Sequence, residues 1–134
     1  MYVSDRIIHM TFTATHCHIH EQSFADSEGA YQRALEAGVT RMVCVGTDVK
    51  SSQEAVQFAS THANIWAVVG IHPHEATRDG GRVGELRDLI AGTMDDRRWT
   101  IGGENNDSST SHVSSLMSKI VGIGEIGLDY YYNH

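Results

Sequence analysis

Apolar residues along this chain follow two different periods that replace each other several times. Short runs rich in Val and Ile predict strands, whereas apolar residues spaced three or four positions apart predict amphipathic helices. The strands are expected at residues 12–15, 41–45, 65–69 and 119–124. Strands that alternate in this way with helical stripes are typical of βα units, and they predict an α/β fold with parallel strands.

A helix is expected in each gap between these strands. The first runs from Ser27, a residue type that caps helices, to about Ala37, and Gly38 ends it. The second begins at Ser51 or Ser52, and the third is shorter. Each has an apolar stripe on one face, as a helix that packs onto a sheet requires. The stripes are Tyr31, Ala34 and Leu35, then Ala55, Val56 and Ala59, then Leu86, Leu89 and Ile90.

The first predicted strand leads into a pair of histidines. In Thr15-His16-Cys17-His18, strand geometry directs the two imidazoles to one face and Cys17 to the other. Two imidazoles on one face can chelate a cation, and α/β enzymes keep their chemistry at the carboxyl ends of strands. A chance pair is the alternative, because the chain has nine histidines. The pair predicts part of a metal site, with Cys17 outside it.

A carboxylate for this site is expected after the last predicted strand. Glu125 follows that strand and continues into Leu128 and Asp129. Residues 99–104 form a similar run that ends in Gly-Glu, but Asn, Asp and Ser come next. Because that composition is typical of a flexible loop, residues 102–118 are interpreted as an insertion and Glu125 as the ligand.

Composition describes a globular chain with an acidic balance. Of its 134 residues, 40% are hydrophobic and 20% are charged, and the formal net charge is −7. This charge argues against a broad basic surface that grips nucleic acid, although bound cations can recognise phosphate locally. No stretch has the pattern of a membrane span or a secretory signal, so a cytoplasmic location without membrane association is expected.

Four segments of the chain form an ordered set of motifs. They are residues 15–18, Thr-His-Cys-His; 44–48, Cys-Val-Gly-Thr-Asp; 69–74, Val-Gly-Ile-His-Pro-His; and 122–131, Gly-Ile-Gly-Glu-Ile-Gly-Leu-Asp-Tyr-Tyr. Together they resemble the TatD family of metal-dependent deoxyribonucleases, within the amidohydrolase-like barrels. The resemblance implies the N-terminal half of a TIM-type (β/α)8 barrel, with about four βα units. A complete barrel needs roughly 250 residues, so residues 1–134 are expected to form a single partial domain that stops after the fourth strand.

The resemblance also implies roles for individual residues. His16, His18 and Glu125 would bind divalent cations, and Glu125, placed between two of them, would also be catalytic. His72 would contact substrate phosphate or shape the pocket. Asp129 is either an outer partner that orients a ligand or a loop residue that bonds its own backbone. In the family, two histidines and an aspartate from later strands complete the two-metal centre.

The metal and two departures from the family pattern leave alternatives open. Imidazole with carboxylate suits Zn²⁺, Mn²⁺ or iron, whereas the resemblance implies Mg²⁺ or a similar ion. The family usually has aspartates where this chain has Ala14 and His20. A missing carboxylate at position 14 would weaken support for the ligands. His20 is expected to lie beyond the strand rather than to act as an extra ligand.

Three functions are compatible with these residues. The resemblance favours a metal-dependent hydrolase of phosphodiester bonds, with DNA as its substrate. The second function is a catalytically silent, truncated metal-binding half barrel, whose unpaired strand edges would favour self-association. The third is an amidohydrolase or deacylase that acts on C–N or ester bonds. Metal-dependent release of nucleotides from single-stranded DNA separates the first from the others.

Overall fold

A single parallel sheet organises the described part of the chain. The computed structural model describes residues 10–93 and 119–131. Its sheet has four strands in the order β1-β2-β3-β4, and each neighbouring pair is parallel. The strands are β1 Phe12–Cys17, β2 Val39–Val45, β3 Ile65–Val69 and β4 Ile120–Ile123. The expected α/β fold with parallel strands is confirmed.

Helices follow the first three strands. They are α1 Ser27–Glu36, α2 Val49–Thr61, α3 Ala76–Asp79 and α4 Val83–Thr93, and single turns of 3₁₀ helix lie at Pro73–Glu75 and Gly80–Arg82. The expected third helix corresponds to α4. The short helical turns before it were not expected, because residues 73–82 lack an apolar stripe.

The helix starts differ from the prediction in a way that capping chemistry explains. Asp26, not Ser27, caps α1, because its Oδ1 accepts the backbone N–H of Gly29 at 3.0 Å. Helix α2 begins two residues before the expected serines, and its cap is Asp48, a residue for which the sequence favours N-capping; its Oδ1 accepts the N–H of Ser51 at 2.6 Å. Aspartate and serine cap helices about equally well, so two adjacent candidates cannot be ranked from sequence.

The core lies between the sheet and its helices, centred on β2, β3 and α2. Each predicted helical stripe contributes buried residues to it. Ile65, Ala67 and Val69 of β3 are fully buried, whereas Val121 and Ile123 of β4 are more than half exposed. The buried apolar cluster consists of Tyr31, Met42, Cys44, Val49, Ala55, Val56, Ala59, Ile65, Ala67, Val69, Ile71 and Leu86.

A buried lysine fastens the start of β4 to the inner part of the sheet. Lys119 is only 7% exposed, and its Nζ donates to the carbonyl oxygens of His62, Ala63 and Ile65 at 2.6–3.1 Å. Burial lowers the pKa of this ammonium group. The three carbonyls satisfy its donors, so the contact holds an exposed edge strand against a buried neighbour.

Some sequence predictions lie outside this description. The insertion at residues 102–118 and the alternative Gly-Glu run at residues 99–104 both fall outside the described residues. Within residues 10–93 and 119–131, no helix has the length and apolarity needed to cross a membrane.

Candidate metal centre

Two histidine side chains meet at the carboxyl end of β1. The Nε2 atoms of His16 and His18 lie 3.1 Å apart, and their rings pack edge to face. The register of β1 against β2 shifts between Ala14 and Cys17, in the segment that contains His16. The structure therefore brings together the imidazoles that strand alternation placed on one face.

Cys17 points away from the histidines, as expected. Its Sγ lies 3.4 Å from the carbonyl oxygen of Val43 and 3.8 Å from Sγ of Cys44, the residue paired with it on β2. The hydrogen bond from Cys44 lowers the pKa of Cys17 to about 7. The same contact and burial raise the pKa of Cys44, which therefore keeps its proton.

Glu125 reaches the histidines from the other edge of the sheet. Its Oε1 lies 3.3 Å from His16 Nε2, and its Oε2 lies 3.4 Å from His72 Nε2. Since β1 and β4 are the two edge strands, the sheet must curve for their carboxyl ends to meet. Gly70 permits this approach, because a Cβ there would overlap the backbone of Gly124 and Glu125.

The spacing of these donors fits a bound cation. The distances from His16 Nε2 to His18 Nε2 and to Glu125 Oε1 are 3.1 and 3.3 Å. Metal bonds of 2.0–2.2 Å place neighbouring donor atoms about 3–3.5 Å apart. All three side chains remain between one third and one half exposed, so the site is open to a substrate. Nε2 of His16 thus lies at ligand spacing from both His18 and Glu125.

His72 is fixed beside this group by its backbone and by its ring. Its N–H donates to the carbonyl oxygen of Thr47, and its Nδ1 accepts the N–H of His74 at 3.2 Å. A neutral ring with Nδ1 as acceptor carries its proton on Nε2, the atom that faces Glu125. His72 thus orients the carboxylate, a contact that the sequence did not reveal.

Asp129 bonds the backbone of its own loop and also contacts His74, a histidine outside the candidate ligand group. Its Oδ2 lies 3.2 Å from His74 Nε2, and its Oδ1 accepts the N–H of Tyr131 at 2.8 Å. These residues line an open groove of about 540 Å³ beside the candidate centre. Tyr130 and Tyr131 are 89% and 85% exposed there.

The two departures from the family pattern have different structural outcomes. Ala14 packs against the core and supplies no polar support. His20 lies beyond β1, as expected. However, it belongs to a cluster with His18 and Glu21, in which one ring nitrogen of each histidine and one carboxylate oxygen of Glu21 lie within 4.8 Å of one another. Burial lowers the pKa of His20, which favours its neutral imidazole. Sequence reasoning missed Glu21, for which the only signal was a His-x-His-Glu run at a strand end.

The comparison with protein families gives one match that covers most of the chain. The family described as TatD related DNase matches residues 14–134. This range contains His16, His18, His72, Glu125 and Asp129.

Curated relatives and a solved structure resemble the chain over much of its length. The "3'-5' ssDNA/RNA exonuclease TatD" proteins of Enterobacter lignolyticus and Cronobacter turicensis are 29% and 31% identical to it, each over 81% of this chain and 32% of their own. YjjV, a TatD homologue from Escherichia coli, superposes with a TM-score of 0.64 and 25% identity, over 91% of this chain and 39% of its own. The chain therefore spans about a third of the length of these curated relatives.

Proposed function

This chain belongs to the TatD related DNase family, and we propose that it forms the metal-binding N-terminal part of a hydrolase that cleaves phosphodiester bonds in nucleic acid. The observation that carries the proposal is the convergence of His16, His18 and Glu125. These residues lie at or just after the carboxyl ends of the two edge strands, and Nε2 of His16 lies 3.1 Å from Nε2 of His18 and 3.3 Å from Oε1 of Glu125.

The proposed roles follow from the geometry of each side chain. His16 and His18 hold a divalent cation through Nε2, and Glu125 binds it through the oxygen nearest His16. The other oxygen of Glu125 lies 3.4 Å from Nε2 of His72, a contact that keeps the carboxylate aimed at the cation. The chemistry that such a cation supplies when bound is a water of lowered pKa and a polarised phosphoryl oxygen.

The groove beside the centre suits a single-stranded nucleic acid. Exposed Tyr130 and Tyr131 offer aromatic faces on which bases of any sequence can stack. His72 lines the same groove and contacts Glu125, and its imidazole can donate to a phosphate oxygen as the substrate enters. The names of the relatives, which describe exonucleases acting on single-stranded DNA and RNA, support the same substrate class.

The identity of the metal ion, the role of Asp129 and the cellular location are further parts of the proposal. Mg²⁺ and Mn²⁺ are the ions proposed for the hydrolase, and Zn²⁺ is a further ion that two imidazoles and a carboxylate accept. Asp129, which contacts His74, is proposed to hold the groove in shape rather than to orient a metal ligand. The cytoplasmic location stays a prediction.

A silent metal-binding half barrel is the second candidate, and one observation favours it. Four large apolar side chains beside β4 and α4 are between 59% and 67% exposed. Such a surface on a soluble chain marks a place where further protein packs. The exposed apolar side chains are Val83, Ile123, Ile126 and Leu128. If further protein packs on them, the described part of the chain binds the cation but depends on that protein for turnover.

The test measures cation binding and nucleotide release on the same preparation. We expect Mn²⁺ to bind and end-labelled single-stranded DNA to lose nucleotides only when a divalent cation is present. Cation binding without nucleotide release would support the silent half barrel. Release of nucleotides that persists after chelation of all divalent cations would contradict the proposed hydrolase. Glu125→Gln, which changes a proposed ligand, should weaken Mn²⁺ binding, whereas the matched control Glu36→Gln, which changes an exposed carboxylate at the end of α1, should leave it unchanged.

A further inference from the structure

A tight turn after β1 gathers a second set of donors. The N–H of Glu21 donates to the carbonyl oxygen of His18 at 3.2 Å, which closes the turn and carries Glu21 back over His18. As a result, Glu21 Oε1 lies 3.5 Å from His18 Nδ1. One donor atom from each of His18, His20 and Glu21 lies within 4.8 Å of the others. None of these contacts involves Glu125.

Two imidazole nitrogens in this turn are buried without a hydrogen-bond partner. They are Nδ1 of His18 and Nδ1 of His20. His20 is only 6% exposed, and its other nitrogen, Nε2, lies 3.3 Å from Oγ of Ser51. When Nε2–H donates to that hydroxyl, Nδ1 keeps a free lone pair, an arrangement typical of histidine ligands. A buried polar atom without a partner is costly, and a bound ion would remove that cost.

We propose that His18, His20 and Glu21 form a second cation site, which takes a transition-metal ion of the Zn²⁺ type. Two imidazoles and a carboxylate are a known zinc donor set that leaves a fourth position open. Zinc bonds of 2.0–2.2 Å need donors about 3.4 Å apart. The donor atoms, which lie within 4.8 Å of one another, must therefore move closer together when zinc binds. The partly exposed Glu21 side chain can rotate inward to shorten its own distances to the two imidazoles.

Sharing His18 makes the two sites mutually exclusive, an extension that rests on the proposed function. A neutral imidazole offers one lone pair, because its other nitrogen carries the proton. If Nδ1 of His18 binds an ion in the turn, Nε2 is protonated and cannot bind the cation shared with His16. Zn²⁺ in the turn would therefore displace the cation of the hydrolase and inhibit it.

The test isolates the turn by removing the other site. In a His16→Ala chain, Zn²⁺ affinity is measured by competition with a chromophoric chelator, with and without Glu21→Gln. We expect Glu21→Gln to weaken Zn²⁺ binding at least about ten-fold, and the matched Glu36→Gln control to leave it unchanged. His16 is half exposed and Glu21 is partly exposed, so both variants should fold, which circular dichroism verifies.

A second measurement identifies the ligating atoms directly. Imidazole ¹⁵N spectra of the unaltered chain, titrated with Zn²⁺, should show metal-induced shifts at Nδ1 of both His18 and His20. Unchanged Zn²⁺ affinity in Glu21→Gln, or no zinc-dependent shift of His20, would overturn the second site. Mn²⁺ binding to the unaltered chain reports the His16 site separately, so failure of one site is distinguishable from failure of the other.

Discussion

The inner strands of this sheet form the core, whereas the outer strands lead into the candidate ligands. Residues of β2 and β3 such as Cys44 and Ile65 are fully buried and form the core against α2. Side chains of β1 and β4 such as Phe12 and Ile123 are at least half exposed, and these strands lead into the candidate ligands. Stability therefore comes mainly from the centre of the sheet and chemistry from its edges.

This division has a physical reason. A divalent cation and its substrate need polar donors that water and phosphate can reach, whereas a stable core excludes polar groups without partners. Parallel strands place all their carboxyl ends along one rim, so a curved sheet lets the edge strands share a site. The inner strands contribute to that rim mainly through loops, as His72 after β3 illustrates. Substitutions in the two regions should consequently have separable effects.

The largest expected effect is a loss of stability from the inner strands. Ile65→Ala removes a fully buried side chain from β3 and should lower the free energy of unfolding by about 2–5 kcal/mol. Urea denaturation followed by circular dichroism measures this. The matched control is Val121→Ala on β4, where 55% exposure predicts a change of about 0.5 kcal/mol or less. Equal losses from both substitutions would break the comparison.

Substitutions at the outer strands should remove cation binding without unfolding the chain. Changing both His16 and His18 to Ala should abolish Mn²⁺ binding, because the candidate site loses two of its three donors. Secondary structure should be largely intact, since both side chains are at least one third exposed. Calorimetry and circular dichroism on the same sample test both statements. A double variant that fails to fold would mean that these histidines are structural.

A glycine at the end of β3 connects the two regions and should give an intermediate effect. Gly70→Ala introduces a Cβ that overlaps the backbone of Gly124 and Glu125, so the loop that carries Glu125 must move. We expect Mn²⁺ affinity to fall about ten-fold although no donor is changed. Gly84→Ala in α4, where a Cβ meets nothing within 4 Å, is the control. Unchanged affinity in Gly70→Ala would show that the site tolerates displacement of this loop.

The smallest effect concerns an ion pair away from the rim. Asp79 is buried between Arg78 and Arg82, whose hydrogen bonds lower its pKa below the ordinary 3.8. The charged form therefore contributes stability above about pH 4, and that contribution disappears as pH falls through the lowered pKa. Asp79→Asn should lower the melting temperature by a few degrees near about pH 6. The difference should shrink below about pH 4; a constant difference would exclude this charge effect.

The inner strands and the histidine pair were accessible from sequence because they depend on local periodicity. β3 has the predicted bounds, and β2 extends two residues further toward its start, because apolar runs specify buried strands well. His16 lies in β1 and His18 just beyond its end, so their convergence depends on a spacing of two residues, which the sequence shows directly.

Contacts between distant segments were not accessible in this way. The approach of His72 to Glu125 depends on how β3 pairs with β4, where a register shift intervenes. Glu21 lies over His18 only because a particular turn follows β1, and many turns suit that sequence. Asp26 replaced Ser27 as the cap because both residue types stabilise a helix start.

Anomalous diffraction from crystals soaked in Mn²⁺ tests the central claim most directly, because it locates the cation independently of turnover. The account predicts a peak at the carboxyl rim of the sheet, within about 2.0–2.3 Å of Nε2 of His16, Nε2 of His18 and a carboxylate oxygen of Glu125. The Glu125 oxygen should be the one that faces His16. A Mn²⁺ peak that contacts none of these three side chains, or soaked crystals without any such peak, would contradict it.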